Sequence, residues 1–173
     1  MSVAGAVPSG DAPSGAGAAR ERRVLVIDDN AVDRMLYRRI MARSGYFRHV
    51  HAFGYATEAL DWLDGNGELR VDAILLDVNM PRMNGFEFLA AADERLGERF
   101  DACVVIMLTT SLDPDDVERA RTFGAVRGYV NKPLTLETLE RVVALVDARA
   151  EERERTSGFL TAAPLPDETG RLT

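Results

Sequence analysis

Cysteine is nearly missing from this chain: of 173 residues, only Cys103 carries a thiol. A lone cysteine excludes an internal disulfide and a cysteine-built zinc site, and a reducing cytoplasmic setting is the expectation. No apolar run approaches the roughly 20 residues that a spanning helix requires. Residues Ser2 to Ala19 also lack the charged start and continuous apolar middle of a secretory signal, so no membrane partner is expected. No block of Lys and Arg stands out, and the formal charge is -7, from 28 acidic against 21 basic residues. That balance argues against nucleic-acid binding. Lysine itself is scarce, since 20 of the 21 basic residues are Arg and Lys132 is the sole Lys. What is present is 46% hydrophobic residues in a chain of a length that suits one ordinary core with tails.

Residues 1–20 are nearly all Ala, Gly, Ser, Pro and Val, punctuated by Pro8, Pro13 and four Gly. No periodic apolar face can form there, which predicts a flexible N-terminal tail. Residues 21–149 read as one folded domain. From Ala150 onward a helix extension through Glu151-Glu152-Arg153-Glu154-Arg155 and then a mobile C-terminal tail, with Pro164 and Pro166, are expected over residues 150–173.

Within the domain, short apolar runs alternate with amphipathic segments. The runs are Val24 to Ile27, Val50 to Phe53, Ala73 to Leu76, Val104 to Leu108 and Gly128 to Val130. Most are continuously apolar, as strands covered on both faces should be. Helices are expected over Ala31 to Arg43, Tyr55 to Leu63, Gly85 to Leu96, Asp115 to Phe123 and Leu136 to about Arg149. The alternation predicts an α/β fold, a doubly wound parallel sheet of five strands with helices on both faces.

In an open parallel sheet all strands deliver their C-terminal ends to one edge, where ligands bind. The residues that end the runs are therefore the candidates: Asp28-Asp29, Asp77, Thr109-Thr110-Ser111 and Asn131-Lys132-Pro133. Singly, each has a plain explanation as a cap, a strand end or a surface turn. Jointly they bring three carboxylates, a hydroxyl and an ammonium together. Carboxylates sharing one site repel and have raised pKa values unless a cation binds. Mg²⁺ suits such a site, since it takes oxygen ligands and is commonly shared between carboxylates and a phosphoryl group. Lys132 fits the same picture, because a compact ammonium on a flexible stem suits a tight contact with one oxygen better than a planar guanidinium does.

With these residues in view, the chain resembles the receiver domain of two-component response regulators, the chemotaxis-type single-domain members in particular. The likeness covers about Arg22 to Ala148. It rests on Val24-Leu25-Val26-Ile27-Asp28-Asp29, Leu75-Leu76-Asp77-Val78-Asn79-Met80-Pro81-Arg82-Met83-Asn84-Gly85, Met107-Leu108-Thr109-Thr110-Ser111 and Gly128-Tyr129-Val130-Asn131-Lys132-Pro133, in that order and spacing. The resemblance implies a flavodoxin-like sheet with strand order 2-1-3-4-5. It implies that Asp77 is the phosphoacceptor, taking a phosphoryl group from a phosphohistidine on a sensor histidine kinase or a histidine phosphotransfer protein. Asp28, Asp29 and Asp77, with the backbone carbonyl of Asn79, would hold Mg²⁺. Thr109 would bind a phosphoryl oxygen, and Lys132 would pair with Asp77 before transfer and with the phosphoryl group after it.

The same resemblance implies a switch in which Thr109 moves toward the phosphoryl group and Tyr129 turns inward. This alters the face formed by the fourth helix, the fifth strand and the fifth helix of the sequence reading. Pro133 resembles the family's cis-prolyl turn, and Asn79 and Ser111 sit where the family tunes phosphoryl lifetime. Thr110 is the alternative to Thr109 as switch hydroxyl.

The residues beyond the fifth helix are too few for an output domain, so output is expected through protein contact with a downstream target, or with a dimer mate in a homodimer. Phe159, Leu160 and Leu165 are apolar residues that such a contact would use. No enzymatic activity beyond the chain's own phosphorylation and dephosphorylation is expected: a phosphatase would need a second acid/base, and Asn79 supplies none. A phosphorylation-independent interaction module of the same fold is the alternative. His49 and His51, two apart on one strand, lack further ligands for a metal and read as structural or surface residues.

Overall fold

The computed structural model describes residues 21–161, with side chains through Thr156. The tail expected at residues 1–20 and, of the extension and tail expected over 150–173, residues 162–173, with Leu165 and the side chains of Phe159 and Leu160, lie outside the described residues. The elements run β1 (Arg23–Ile27), α1 (Ala31–Ser44), β2 (His49–Phe53), α2 (Ala56–Gly65), β3 (Ala73–Asp77), α3 (Gly85–Leu96), α4 (Glu98–Asp101), β4 (Val104–Thr109), α5 (Pro114–Arg121), β5 (Val126–Asn131) and α6 (Leu136–Thr161). All strand pairs are parallel, and the sheet order is β2-β1-β3-β4-β5. The five-stranded, doubly wound fold is thus as the sequence predicts.

The continuous apolar runs have the burial that their composition implies. Strands β3 and β4 are buried along their whole length, and alternate residues feed opposite faces. Leu25, Ile27, Ile74, Leu76, Val105 and Met107 pack with α2 and α3 residues such as Leu60, Phe88 and Leu89. Val24, Val26, Leu75, Ile106 and Leu108 pack with Tyr37 and Met41 of α1 and with Leu139, Val142 and Val146 of α6. Two separate apolar layers, one on each side of the sheet, supply the driving force for folding and hold every strand end in register at one edge.

Local signals set the helix starts. Asn30 caps α1 by accepting from the backbone N–H of Val32 and Asp33. Asn84 and Glu87 form a reciprocal capping box at α3. Asp113 caps α5 with Pro114 at its first position. Gly45, at φ 67, ends α1 in the left-handed conformation that glycine adopts without strain.

Two elements depart from the sequence reading. The short helix α4 was not foreseen; it is anchored by Phe100, which is buried and meets Phe88 edge to face at 6.3 Å. It shifts the count, so the helices expected fourth and fifth are α5 and α6. Helix α6 runs to Thr161, past its last buried residue, Ala150, and beyond Arg155, where the expected extension ends. No helix among the described residues is long and apolar enough to cross a membrane.

Candidate functional site

The C-terminal ends of β1, β3 and β4 and the turn after β5 meet at one edge of the sheet, as parallel pairing requires. Asp28, directly after β1, is fully buried, and Asp77, the last residue of β3, is 5% exposed. Carboxylate oxygens of Asp28, Asp29 and Asp77 lie within 4.8 Å of one another. Lys132 reaches into this group from the turn after β5: its Nζ is 2.8 Å from Asp28 Oδ2 and 3.1 Å from Asp77 Oδ2. The second oxygens are also occupied. Asp28 Oδ1 accepts the Asn30 N–H at 2.9 Å, and Asp77 Oδ1 accepts the Asn79 N–H at 3.3 Å.

Burial is the largest influence on both acids, and it pushes the carboxyl groups of Asp28 and Asp77 above the ordinary carboxylate value, while Lys132 pulls them back in part. Lys132 itself is raised above the usual lysine value: its own burial acts downward, and the hydrogen bonds and charges of Asp28 and Asp77 outweigh it. It is a permanent ammonium at neutral pH.

Thr109 is buried and Thr110 exposed, so only the former faces the enclosed edge. The Thr109 hydroxyl donates to the Ser111 carbonyl at 2.9 Å and accepts the Ser111 N–H at 3.1 Å, which ties it to the loop before α5. Tyr129, on β5, is half-buried against the α3 side of the core. Its hydroxyl is enclosed and makes no hydrogen bond of normal geometry, yet it lies near enough to Thr109 and Asp116 for both to act on its ionisation, which burial raises.

Backbone geometry holds the acidic edge together. A Cβ on Gly85 would come within 2.7 Å of the Asp77 carbonyl oxygen, so only glycine lets α3 start this close to β3. The Lys132–Pro133 peptide is cis. Arg34 donates to the Asp28 carbonyl at 2.6 Å from α1.

Two contributors escaped the sequence reading, Arg34 and Asp33. Asp33 Oδ2 lies 3.2 Å from Lys132 Nζ and is a third carboxylate on that ammonium. The signal that carries it is positional: with Asn30 as cap, Asp33 falls three residues on, in the first turn of α1 and five after Asp28. Among the described residues, His49 and His51 join no cluster of metal-ligating side chains. His51 packs against Trp62 with the rings tilted by 38° and their centroids 4.6 Å apart, and burial lowers its pKa. A hollow of about 190 Å³ lies at the opposite edge of the sheet, lined by Leu63, Val71, Phe100 and Cys103, and none of the clustered carboxylates borders it.

Known proteins share this arrangement of strands. A two-component response regulator from Cytophaga hutchinsonii superposes with a TM-score of 0.69 at 27% identity, over 72% of this chain and 96% of its own. The chemotaxis protein CheY1 of Helicobacter pylori strain J99 is 32% identical over 124 residues, which span 72% of this chain and 95% of that protein. The probable methanogenesis regulatory protein FilR2 of Methanothrix harundinacea is 34% identical over 123 residues, 69% of this chain and 77% of the relative. Residues 24–144 match the response regulator receiver domain as a family, and the chain, with its acidic strand ends and its CheY-like sheet, belongs to that family.

Proposed function

We propose that this receiver is a phosphorylation-controlled switch of two-component signalling, in which Asp77 accepts a phosphoryl group from a phosphohistidine. The observation that carries the reading is the Lys132 ammonium bridging Asp28 and Asp77 at 2.8 and 3.1 Å in a nearly closed site. A carboxylate oxygen of Asp77 attacks phosphorus, the P–N bond to the donor imidazole breaks, and the imidazole departs with that electron pair and takes up a proton. Such transfer needs positioning and charge neutralisation rather than elaborate covalent chemistry.

Three oxygen ligands at this separation suit Mg²⁺. Asp28, Asp29 and Asp77, with the Asn79 carbonyl, are the residues that would hold it. When bound, the ion neutralises charge on phosphoryl oxygens. Lys132 stays protonated and turns from Asp77 Oδ2 to a phosphoryl oxygen. Thr109 exchanges its bond to the Ser111 carbonyl for one to the phosphoryl group, and Tyr129 follows into the space beside it. The signal leaves by the face of α5, β5 and α6. Its readers are a protein target or a second copy of the chain, in the cytoplasm, where the donor is a sensor histidine kinase or a histidine phosphotransfer protein. The reaction is the chain's own phosphorylation and dephosphorylation, with no further substrate.

The test incubates wild type and Asp77→Asn with acetyl phosphate, with and without Mg²⁺, and resolves phosphoprotein on a phosphate-affinity gel. A Mg²⁺-dependent shifted band in wild type alone is expected. Without that band, and with no response of the amide spectrum to beryllofluoride, the chain is a phosphorylation-independent interaction module.

A further inference from the structure

An ammonium has three N–H donors and no acceptor. In this chain Lys132 Nζ donates to Asp28 at 2.8 Å and to Asp33 at 3.2 Å and forms an ion pair with Asp77 at 3.1 Å. Asp28 and Asp77 are the residues expected to work on a metal and a phosphoryl group, and their other oxygens are occupied by backbone N–H groups. Asp33 stands apart. It is not among the carboxylates whose oxygens cluster within 4.8 Å, and it comes from a helix rather than a strand end.

The backbone around Asp33 is held by local hydrogen bonds. Its own backbone N–H is held by the Asn30 cap at 3.4 Å, and the next residue, Arg34, is clamped to the Asp28 carbonyl at 2.6 Å. One turn further along α1, Tyr37 is fully buried, and its enclosed hydroxyl has no hydrogen-bond partner. The charge of Asp33 acts on that hydroxyl more than any other charge does, and burial and that charge raise it to about 12. The flank of α1 below Asp33 is therefore closed, and the Lys132 side chain, 10% exposed, has little water to replace a lost carboxylate.

We propose that Asp33 is a positioning residue for phosphoryl transfer, tethering one donor of Lys132 from the α1 side so that the ammonium, held between Asp33 and Asp28, stays beside the acceptor oxygen of Asp77. When the phosphoryl group arrives, only the contact with Asp77 changes, and the ammonium pivots on two fixed carboxylates instead of searching for a new position. This rests on the reading of Asp77 as phosphoacceptor. A flexible lysine stem has many rotamers to lose, and misplacement of a catalytic group by about 1 Å costs up to roughly 100-fold in rate, so a tether has a measurable effect.

Because Lys132 is the only lysine, growth on ¹³C,¹⁵N-lysine labels one side chain, and its Cε and Nζ signals report that ammonium alone. We would compare wild type, Asp33→Ala and Asp33→Asn in the full-length chain, with melting curves and amide spectra as the check on folding. In Asp33→Ala the Lys132 signals should show faster side-chain motion, and the first-order rate of phosphorylation at saturating acetyl phosphate and Mg²⁺ should fall about 10-fold. In Asp33→Asn, whose amide oxygen still accepts from Nζ, most of both losses should be recovered. A purely structural role in the first turn of α1 would lower the melting temperature and leave the Lys132 signals unchanged, which overturns the proposal. Equal effects of Ala and Asn overturn it too, since charge rather than position would then be acting. If wild type itself takes no phosphoryl group while Lys132 loosens only in Asp33→Ala, the tether stands and the phosphoacceptor reading falls.

Discussion

Asp28 and Asp77 sit where their charge is disfavoured, and that has a direct signature in stability. Both carboxyl groups are raised above the ordinary value, burial being the main cause. For an acid raised in the folded state, the protonated form favours folding. The contribution is complete below the unfolded carboxylate value and is lost as pH rises through the folded one. The metal-free protein should therefore melt higher as pH falls through the raised folded values toward the ordinary carboxylate value of about 4, and the rise should flatten in Asp28→Asn and Asp77→Asn, compared by thermal melts in EDTA. Near neutral pH, Asp77→Asn should stabilise on the order of 1 kcal/mol, because an amide is cheaper to bury than a carboxylate. Lys132→Ala acts in the other direction. It leaves three carboxylates without their shared cation, and a loss of about 3 kcal/mol in urea titration is expected. Lys132→Arg is no remedy, since a planar fork does not fit three convergent oxygens around one nitrogen.

At the scale of elements, the junction of β3 and α3 is the tightest point of the site. Gly85→Ala places a methyl 2.7 Å from the Asp77 carbonyl oxygen, which is backbone and cannot rotate away. We expect a cost of about 1–3 kcal/mol in chemical denaturation. Slower phosphorylation should accompany it, because any relief moves Asp77. The start of α3 at Gly85 was legible in the sequence, as were the strands: a run such as Val104 to Leu108, apolar at every position, has no other use than burial on both faces. The residues that end those runs gave the site by the same logic. Asp33 was not legible, since an acid in the first turn of a capped helix already has a sufficient explanation in the helix dipole. Helix α4 was hidden because four residues are too few to show a period, and its anchor, Phe100, reads in sequence as one more apolar residue before β4. Past Ala150 the Glu and Arg residues through Arg155 read as a helix extension, but beyond Arg155 no buried apolar face marks where that helix stops.

For the molecule as a whole, the two apolar layers are independent of the acidic edge, so cation binding should add stability without reshaping the core. A ligand that binds only the folded state stabilises it by mass action, about 2.7 kcal/mol at a concentration 100 times its dissociation constant. Mg²⁺ should raise the melting temperature of wild type accordingly. The rise should be largely absent in the double variant Asp28→Asn, Asp29→Asn, which removes two of the three clustered carboxylates. The far edge of the same sheet offers an independent gauge. Cys103 is the only thiol in the chain; it is 5% exposed and lies 3.3 Å from the Val71 carbonyl, and burial lifts its pKa to about 12. Alkylating reagents need a thiolate and access, and the folded state grants neither. The rate at which iodoacetamide consumes this thiol is therefore a clock for opening of the β3–β4 core, already installed in the natural chain.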